Sequence, residues 1–499
     1  MRTDNWYGPD FLYDLERDGM VLQFAIPALR DDKDTVIQSV KQNGLALQYA
    51  SRNLRRDSEV VMEAVKQNGL ALQYSLLILS RPEKVSKFSS NLIFPAILGT
   101  PGLTNSKMRE VLMEAVKQNG LAIAFISISN YSVLFPMDDI IMTSVKQNGI
   151  SLRYSREGKY KKEIVMSAVK NRGYALKYAS TQLQGDKEIV VTALKKNPLA
   201  FQFASSILKD DKEFVIFLAK QYQILEFASR RLRGDKEVVI EAVNQNGREL
   251  EFASDDLKGD KAVVMSAVNN DGIALYWASE NLQGDKEVVM ESLNTDGHAL
   301  QFASDFLRGV KEVVMTALFQ DGMILEYASE DLQGDKEVVM ESLNTDGNAL
   351  QFASDELRGD KEVVMTAVKQ NCESLQFAET FQEDKEVVMT AVKQNGKALA
   401  YAETLRADEK ISCEAIKNTP DALPFVHPSL DENDNFIECM IVHKVPPTGR
   451  ELLKSHMMQR MHFVQQTGRS AKFRQPMHEE ITRYLGGRTR KIKTHKKRK

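Results

Sequence analysis

The 499-residue chain is poor in cysteine and in long apolar runs. Its three cysteines are Cys372, Cys413 and Cys439, too few for a disulfide framework in a chain of this length, which favours a reducing compartment. The longest clean apolar run, residues 92–98, has seven residues and contains a proline, whereas a membrane-spanning helix needs about 20 residues. No signal-peptide pattern occurs in residues 1–19. We therefore expect an intracellular protein, cytoplasmic or nuclear, without a membrane span.

The motifs of common enzymes are also missing. The chain contains no P-loop, no G-x-G-x-x-G, no H-E-x-x-H and no G-x-S-x-G pattern. Carboxylates are plentiful, but they recur at the same place in unit after unit, whereas a catalytic pair should be singular. The sequence thus predicts a protein that is not an enzyme and has no cofactor, with a site hidden in residues 425–487 as the remaining enzymatic hypothesis.

Charge is distributed unevenly along the chain. Residues 439–499 hold 16 Lys+Arg and 3 Asp+Glu, a net charge of +13, while residues 1–438 hold 50 and 66, a net charge of −16. This pattern indicates an acidic body that carries a basic tail.

One segment occurs twice with almost no change. The sequence "DKEVVMESLNTDG" fills both 285–297 and 335–347, and it belongs to a repeat of 24–25 residues. About 16 copies of this repeat cover residues 7 to 425. A fixed period of this length predicts a repeat architecture in which each unit packs on its neighbours.

The unit 235–259 shows why the repeat should be helical. Asp235 is a good N-cap for a first helix. Gly247 should end that helix by taking the left-handed conformation at C′. Ser254 either lies within the second helix or caps a separate final turn. Apolar residues follow helical spacing in both arms, at Val238, Val239, Ala242 and Val243 and then at Leu250, Ala253 and Leu257.

A β-strand interpretation fails because no unit alternates with period two. Burial of about eight apolar side chains gains roughly 15 kcal/mol, and the ordering of 25 residues costs at least as much, so one unit is not stable alone. The sequence therefore predicts an all-α protein, an α-solenoid of about 16 tandem αα-hairpins.

The pattern "DKEVVM-AVKQNG-AL-YAS--L-GD" resembles the repeat of the domain-of-unknown-function family 4116 across residues 7 to about 425. The resemblance implies helical tandem repeats with no established activity and no shared functional residues. Family members from protists, large DNA viruses and bacteria imply a host-cell or virion location if the chain is viral. Pro198, Cys372 and Pro420 replace the turn glycine, so we expect those turns to differ. The unit from Asp211 has lost one residue at its turn.

The predicted organisation has five parts: helical repeats in 1–75, an irregular insertion or degenerate repeat in 76–107, the main solenoid in 108–425, a helical capping region in 426–487, and a disordered basic tail in 488–499. The insertion is either a degenerate repeat with a loop or an apolar loop that contacts a partner through Leu92, Ile93 and Phe94.

The capping region contains two predicted helices. Thr448 and Glu451 form a capping box before a helix whose apolar face includes Leu452, Leu453, Met457, Met461 and Val464. A second helix is predicted near residues 478–485. The set Cys439, His443, His456 and His462 has only a loose likeness to zinc-ligand spacing. His456 and His462 would lie about 240° apart around one helix, so we expect no metal site. Packing explains Cys372 and Cys413.

The tail "RTRKIKTHKKRK" contains eight cationic residues: Arg488, Arg490, Lys491, Lys493, Lys496, Lys497, Arg498 and Lys499. It predicts a nuclear-import signal, a non-specific phosphate-binding segment or a solubilising extension. Two functional hypotheses follow. The first is a scaffold for protein–protein interaction with a tail for localisation or electrostatic tethering. The second is a nucleic-acid-associated protein, such as a packaged viral component. The partner and the oligomeric state are open.

Overall fold

The computed structural model describes residues 9–77, 104–126, 135–443, 445–447, 450, 453–455 and 457–459. These residues contain helices and turns but no β-strand, which confirms the predicted all-α solenoid. They fall into two compact units, Met1–Ala242 and Val243–Lys499, divided inside the helix Lys236–Gln245. Among the described residues, no helix combines the length and apolar character needed to cross a membrane.

Each repeat consists of an α-helix, a 3₁₀ helix and a short third segment. The α-helices span Pro9–Arg17, Lys33–Gln42, Ser58–Gln67, Asn105–Gln118, Asp138–Gln147, Lys162–Asn171, Lys187–Leu194, Lys212–Ala219, Lys236–Gln245, Lys261–Asn270, Lys286–Thr295, Lys311–Leu318, Lys336–Thr345, Lys361–Gln370, Lys385–Gln394, Glu409–Asn418 and Asp434–Val442.

The second arm was expected to be an α-helix, but it is a 3₁₀ helix of up to six residues. These helices span Gly19–Phe24, Gly44–Tyr49, Gly69–Tyr74, Gly120–Phe125, Gly149–Tyr154, Gly173–Tyr178, Pro198–Phe203, Leu225–Phe227, Gly247–Phe252, Gly272–Trp277, Gly297–Phe302, Gly322–Tyr327, Gly347–Phe352, Cys372–Phe377, Gly396–Tyr401 and Pro420–Phe425. A six-residue arm is two turns of a 3₁₀ helix, which is longer than the three or four residues usual for this tighter helix.

The third segment is one turn long. It is α-helical at Pro27–Arg30, Thr181–Gln184, Ser206–Lys209, Arg230–Arg233, Asp255–Lys258, Glu280–Gln283, Asp305–Arg308, Glu330–Gln333 and Asp355–Arg358, and it is 3₁₀ at Leu54–Arg56, Gly158–Tyr160, Glu379–Phe381, Glu403–Ala407 and Pro428–Glu432. Ser254 stands at the N-cap of one such segment, so the separate final turn is the correct alternative.

The apolar positions predicted from the unit 235–259 form the core. Val238, Val239 and Leu250 are fully buried, and Leu257 is nearly so. Within each unit, α-helices of successive repeats pack on each other and 3₁₀ helices pack on 3₁₀ helices. A continuous apolar layer therefore lies between a row of α-helices and a row of 3₁₀ helices, and each repeat covers its neighbour.

The turn glycine is needed for close packing rather than for a left-handed backbone, so the predicted reason was wrong. Gly247, Gly347 and the other turn glycines do not have positive φ. A Cβ at Gly347 would overlap the carbonyl oxygen of Ala367 in the next repeat. Only a hydrogen fits between these two backbones, because Cβ and carbonyl oxygen atoms do not interpenetrate.

The turns at Pro198, Cys372 and Pro420 were expected to differ, and this was also wrong. Asn371, before Cys372, has φ −145° and ψ 115°, close to the −151° and 108° of Asn246 before Gly247. Because this turn keeps φ negative, a residue with a side chain can adopt it. The shortened turn after Asp211 is confirmed by an eight-residue helix and a 3₁₀ helix of only three residues.

The repeat geometry continues beyond residue 425, as far as Val442. At this end Arg450 pairs with the buried carboxylate of Asp431, and Leu453 and Met457 are fully buried. These two residues lie in helical turns, as predicted for an apolar face, whereas Thr448, Glu451 and residues 478–485 lie outside the described residues. The start of the capping region thus packs on the last repeats.

Candidate interaction surface

The recurring charged residues form rungs between successive repeats. In each rung a lysine at the start of one α-helix bonds to the N-cap aspartate and a glutamate of the next helix. Lys261 Nζ lies 2.7 Å from Asp285 and 2.8 Å from Glu287, and Lys311 Nζ lies 2.8 Å from both Asp335 and Glu337. The aspartates also accept hydrogen bonds from backbone N–H groups of the first turn. This double role explains the "DKE" sequence of the repeat.

Pairing in a rung shifts the pKa of the lysine and the pKa of the N-cap aspartate. The hydrogen bond from Lys261 holds the pKa of Asp285 below its usual value, and the hydrogen bond to Asp285 raises the pKa of Lys261. The same two shifts occur at Asp360 and Lys336. Since both partners stay charged across the neutral range, these carboxylates act as helix caps and ion-pair partners. The pKa values of Asp285 and Asp360 are lowered, whereas a general acid requires a raised pKa.

Side-chain amides form a second bridge between repeats. Gly347 N–H donates to Gln370 Oε1 at 2.8 Å, and Gln370 Nε2 donates back to the carbonyl oxygen of Thr345 at 3.0 Å. Asn171 makes the same pair of bonds to Gly149 and Lys146. The recurrence of "QNG" therefore comes from the scaffold: an amide bridge, a cap for the 3₁₀ helix and a close backbone contact.

One aromatic ring in each repeat is left outside these scaffold roles. The aromatic face consists of the last residue of each 3₁₀ helix: Phe24, Tyr49, Tyr74, Phe125, Tyr154, Tyr178, Phe203, Phe227, Phe252, Trp277, Phe302, Tyr327, Phe352, Phe377, Tyr401 and Phe425. Phe24 is exposed and the other rings are half-buried. The solenoid thus presents a regularly spaced row of partly exposed rings.

The residue just before each ring is here called the bridging residue, and at this position Arg153 and Lys177 each lie near a ring of the next repeat. The guanidinium of Arg153 lies 5.1 Å from the Tyr154 ring centroid and 5.8 Å from that of Tyr178. Lys177 Nζ lies 5.7 Å from the Phe203 centroid. Both distances are within the range of cation–π attraction.

An aromatic bridging residue occupies the same place in a later repeat. The ring of Tyr276 lies 5.5 Å from Trp277 and 5.1 Å from Phe302, edge-on to both. Tyr276 is itself 57% exposed. The space between successive rings therefore holds a cation in some repeats and a further ring in this one. The ring of Tyr276 that fills it here is partly exposed to solvent.

Charge on this surface differs along the chain. The charged bridging residues are Arg153, Lys177 and Glu226 before residue 242, and Glu251 and Glu326 after it. The first two residues of the α-helical third segments after residue 242 add eight exposed carboxylates and no cation: Asp255, Asp256, Glu280, Asp305, Glu330, Asp331, Asp355 and Glu356. In the α-helical third segments before residue 242, the same two positions contain Arg230 and Arg231 and no carboxylate.

A surface cavity brings a ring of the aromatic face together with two carboxylates. It measures about 380 Å³ and is lined by Asp355, Arg358, Gly359, Phe377, Glu379 and Thr380. Glu379 replaces the serine that other repeats have at this junction. In those repeats the serine N–H bonds to the previous third segment, as from Ser354 to the Gln333 carbonyl oxygen at 2.9 Å.

A second cavity, of about 540 Å³, lies beside the α-helices Asp138–Gln147 and Lys162–Asn171. Asp138, Asp139, Lys161, Lys162 and Glu163 contribute its charged lining. Lys161 stands where most repeats have the N-cap aspartate and pairs with Asp138 at 2.6 Å. The charged groups of this cavity therefore belong to a local variation of the rungs.

The predicted site residues lie outside the part of the chain that the structure describes. Leu92, Ile93 and Phe94 lie outside the described residues. The same holds for the cationic tail: Arg488, Arg490, Lys491, Lys493, Lys496, Lys497, Arg498 and Lys499. The aromatic face was missed, although the recurrence of Phe, Tyr or Trp one residue before alanine in most repeats was a readable signal.

The cysteines correct a further prediction. Cys413, which was expected only to pack, forms a disulfide with Cys439, and their Cα atoms lie 6.1 Å apart. A bonded Cys439 is no metal ligand. His443 caps a helix, whereas His456 and His462 lie outside the described residues. In the described ranges no group of His, Cys, Asp or Glu could hold a metal ion. Cys372 is buried, which agrees with packing.

Comparison with protein families agrees with the repeat geometry. The family model described as Domain of unknown function (DUF4116) matches residues 14–55, 32–76, 161–209, 186–233, 211–258, 235–283, 260–308, 285–333, 310–358, 335–382, 360–406 and 384–431. The chain belongs to the DUF4116 family. Each DUF4116 match spans about two successive repeats, so the family unit is a pair of the structural units. No curated protein matches the chain.

Proposed function

We propose that this DUF4116 protein is a non-enzymatic scaffold that binds polypeptide segments along its aromatic face. The observation that supports this most directly is the partly or fully exposed ring in every described repeat. The other recurrent polar residues cap helices, bridge repeats or allow close packing, whereas these rings keep part of their surface in water. Partly exposed aromatic side chains are enriched in protein–protein interfaces, where they supply most of the binding energy.

A binding role also fits the chemistry of the repeats better than catalysis does. The recurrent aspartates are bonded to lysines and backbone N–H groups. The thiol of Cys372 is buried, and desolvation raises its pKa, which makes it a poor nucleophile at neutral pH. A regular row of rings instead suits an extended segment that contacts several repeats in turn.

Site-specific photo-crosslinking tests the proposal. A photoreactive phenylalanine analogue at Gln301, an exposed bridging residue, should crosslink to a partner protein in cells that express the full chain. The matched control is Asn294, which is exposed on the α-helix of the same repeat. Strong crosslinks from Gln301 and weak ones from Asn294 are expected. Equal yields from both positions, or none from either, would contradict an interaction surface on the aromatic face.

The second candidate function is association with nucleic acid through the tail. It is favoured by the eight cationic residues in 488–499, since lysine and arginine bind phosphate with a strong dependence on salt. Affinity for duplex DNA should fall by roughly 10³-fold or more between 50 and 200 mM salt and vanish on truncation after Gly487. Binding that survives truncation would remove the tail from this role.

A further inference from the structure

The charge of the aromatic face indicates what it binds in the later repeats. Residues 243–438 hold 16 Lys+Arg and 39 Asp+Glu, a net charge of −23, whereas residues 1–242 hold 34 and 27, a net charge of +7. Much of the negative charge flanks the rings, as Glu251 and Glu326 in bridging positions and as the carboxylates of the third segments. The face therefore combines aromatic surface with negative charge over several successive repeats.

The earlier repeats show which group fits between two rings. The cations of Arg153 and Lys177 lie there, each within 6 Å of a ring of the next repeat. In the described part of the chain, no cation–ring contact of this kind involves a residue after 242. The later repeats place a carboxylate, an amide, a small residue or a ring at the bridging position instead. A cation from elsewhere would find rings and carboxylates there, as in the cavity lined by Phe377 and Glu379, in which Asp355 is already paired with Arg358.

We infer that the aromatic face of residues 247–407 binds the cationic tail 488–499 of the same chain. This inference rests on the proposed function, because it names an occupant of the proposed surface. The tail contributes eight positive charges and no carboxylate, so its charge complements the face. The lysine and arginine heads lie between rings, and the flanking carboxylates neutralise them.

The chain has the length that this contact requires. The 28 residues 460–487, with the predicted helix near 478–485, reach up to roughly 80 Å, whereas packed helices of neighbouring repeats are about 10 Å apart. Attachment to the same chain gives the tail an effective concentration on the order of 1 mM at the face. A modest intrinsic affinity is therefore enough to keep the tail bound. A basic partner must then displace the tail from the face, and a phosphate polymer must displace the face from the tail.

The test uses a labelled peptide with the sequence of residues 488–499 and the protein truncated after Gly487. The peptide should bind the truncated protein, and it should bind the full chain at least about 10-fold more weakly because the tail already occupies the face. The double variant Glu251→Lys and Glu326→Lys should reduce binding about 10-fold or more. The control variant Glu291→Lys and Glu341→Lys changes the net charge equally on the outer side of the α-helices and should have a much smaller effect.

Several outcomes would overturn the inference. Equal peptide affinity for full-length and truncated protein would show that the tail does not occupy the face. Equal losses in the two double variants would show only a general attraction between opposite charges. If the full chain forms a dimer and the truncated protein does not, the tail binds the face of a second copy instead of the face of its own chain. Absence of peptide binding with retained crosslinking at Gln301 would reject this occupant and leave the proposed function intact, whereas loss of both would reject both.

Discussion

The repeats before and after residue 242 have the same kind of interior but differ in the charge of the aromatic face. Both regions use N-cap aspartates, lysine rungs, amide bridges and turn glycines, and both bury the same apolar positions. On the aromatic face, however, the earlier region places Arg153 and Lys177 between rings, and the later region places Glu251 and Glu326 at the matching positions.

This difference shows which positions are tied to the fold. A residue that contacts the next repeat is limited by a neighbour of nearly the same sequence, so it varies little along the array. A bridging residue faces solvent on one side and can change its charge without loss of stability. Divergence at these positions therefore points to binding, and similarity at the others points to the scaffold.

The largest expected effect tests the shared interior. Gly149→Ala and Gly347→Ala should each lower the free energy of unfolding by about 3 kcal/mol, because the added Cβ overlaps a carbonyl oxygen of the next repeat. The control Gly334→Ala should be nearly neutral, since its nearest neighbour lies 3.5 Å away. Urea unfolding followed by circular dichroism measures all three. Destabilisation by only one of the two glycine substitutions would contradict the conclusion that the regions before and after residue 242 share the same close packing.

Reduction of the disulfide tests a feature found at the end of the later region. A thiol reductant should destabilise the segment around Cys413 and Cys439 by roughly 2–4 kcal/mol, because the crosslink limits the unfolded chain. Hydrogen exchange of residues 409–442 measures the loss. The double variant Cys413→Ser and Cys439→Ser should no longer respond to the reductant, and unchanged exchange in the native protein would show that the bond does not stabilise this segment.

Removal of an amide bridge between repeats should lower the stability less than the glycine-to-alanine substitutions do. Asn171→Ala and Gln370→Ala should each lower the stability of the neighbouring repeats by about 1–2 kcal/mol, because a glycine N–H loses its acceptor. The exposed neighbours Lys170 and Lys369 provide alanine controls with little expected change. Urea unfolding midpoints measure the loss of stability. Similar losses for Asn171→Ala and Gln370→Ala would support the same scaffold in both regions, and unequal losses would argue against it.

The smallest effect restores an interrupted rung. Val310 replaces the usual aspartate, and its helix has no side-chain cap. Val310→Asp should stabilise the protein by about 1 kcal/mol through a new cap near Lys286. Thermal unfolding of the native protein, this variant and Val310→Asn measures the gain and separates the cap from the ion pair. No gain at pH 7 would contradict the role assigned to the aspartates.

The gain should also depend on pH in a defined direction. In neighbouring rungs a lysine holds the pKa of the cap below its usual value, as Lys311 does for Asp335. A carboxylate with a lowered pKa stabilises the fold above its unfolded pKa of about 3.9, and this contribution is lost as pH falls through the folded pKa. The advantage of Val310→Asp over Val310→Asn should therefore be present at pH 7 and absent at pH 2.

Some parts of the site were readable from the sequence and others were not. The N-cap role of Asp235 follows from residue type and position in one repeat, because capping is a local interaction. The reason for Gly247 was misassigned, since glycine serves both a left-handed turn and a close contact, and only the neighbouring repeat distinguishes them. The position of the Tyr276 ring between Trp277 and Phe302 depends on the spacing between repeats, and the sequence of a single unit does not encode that spacing.

The sequence by itself determined the repeat, its helical character, its caps and its apolar interior, because these arise from residues close together in the chain. The tertiary structure decided that the second arm is a 3₁₀ helix, that Cys413 meets Cys439, and that bridging residues lie between rings of successive repeats. Each of these depends on how far one repeat is displaced from the next. That displacement is set by backbone contacts between repeats, and the contacts exist only once the repeats have packed.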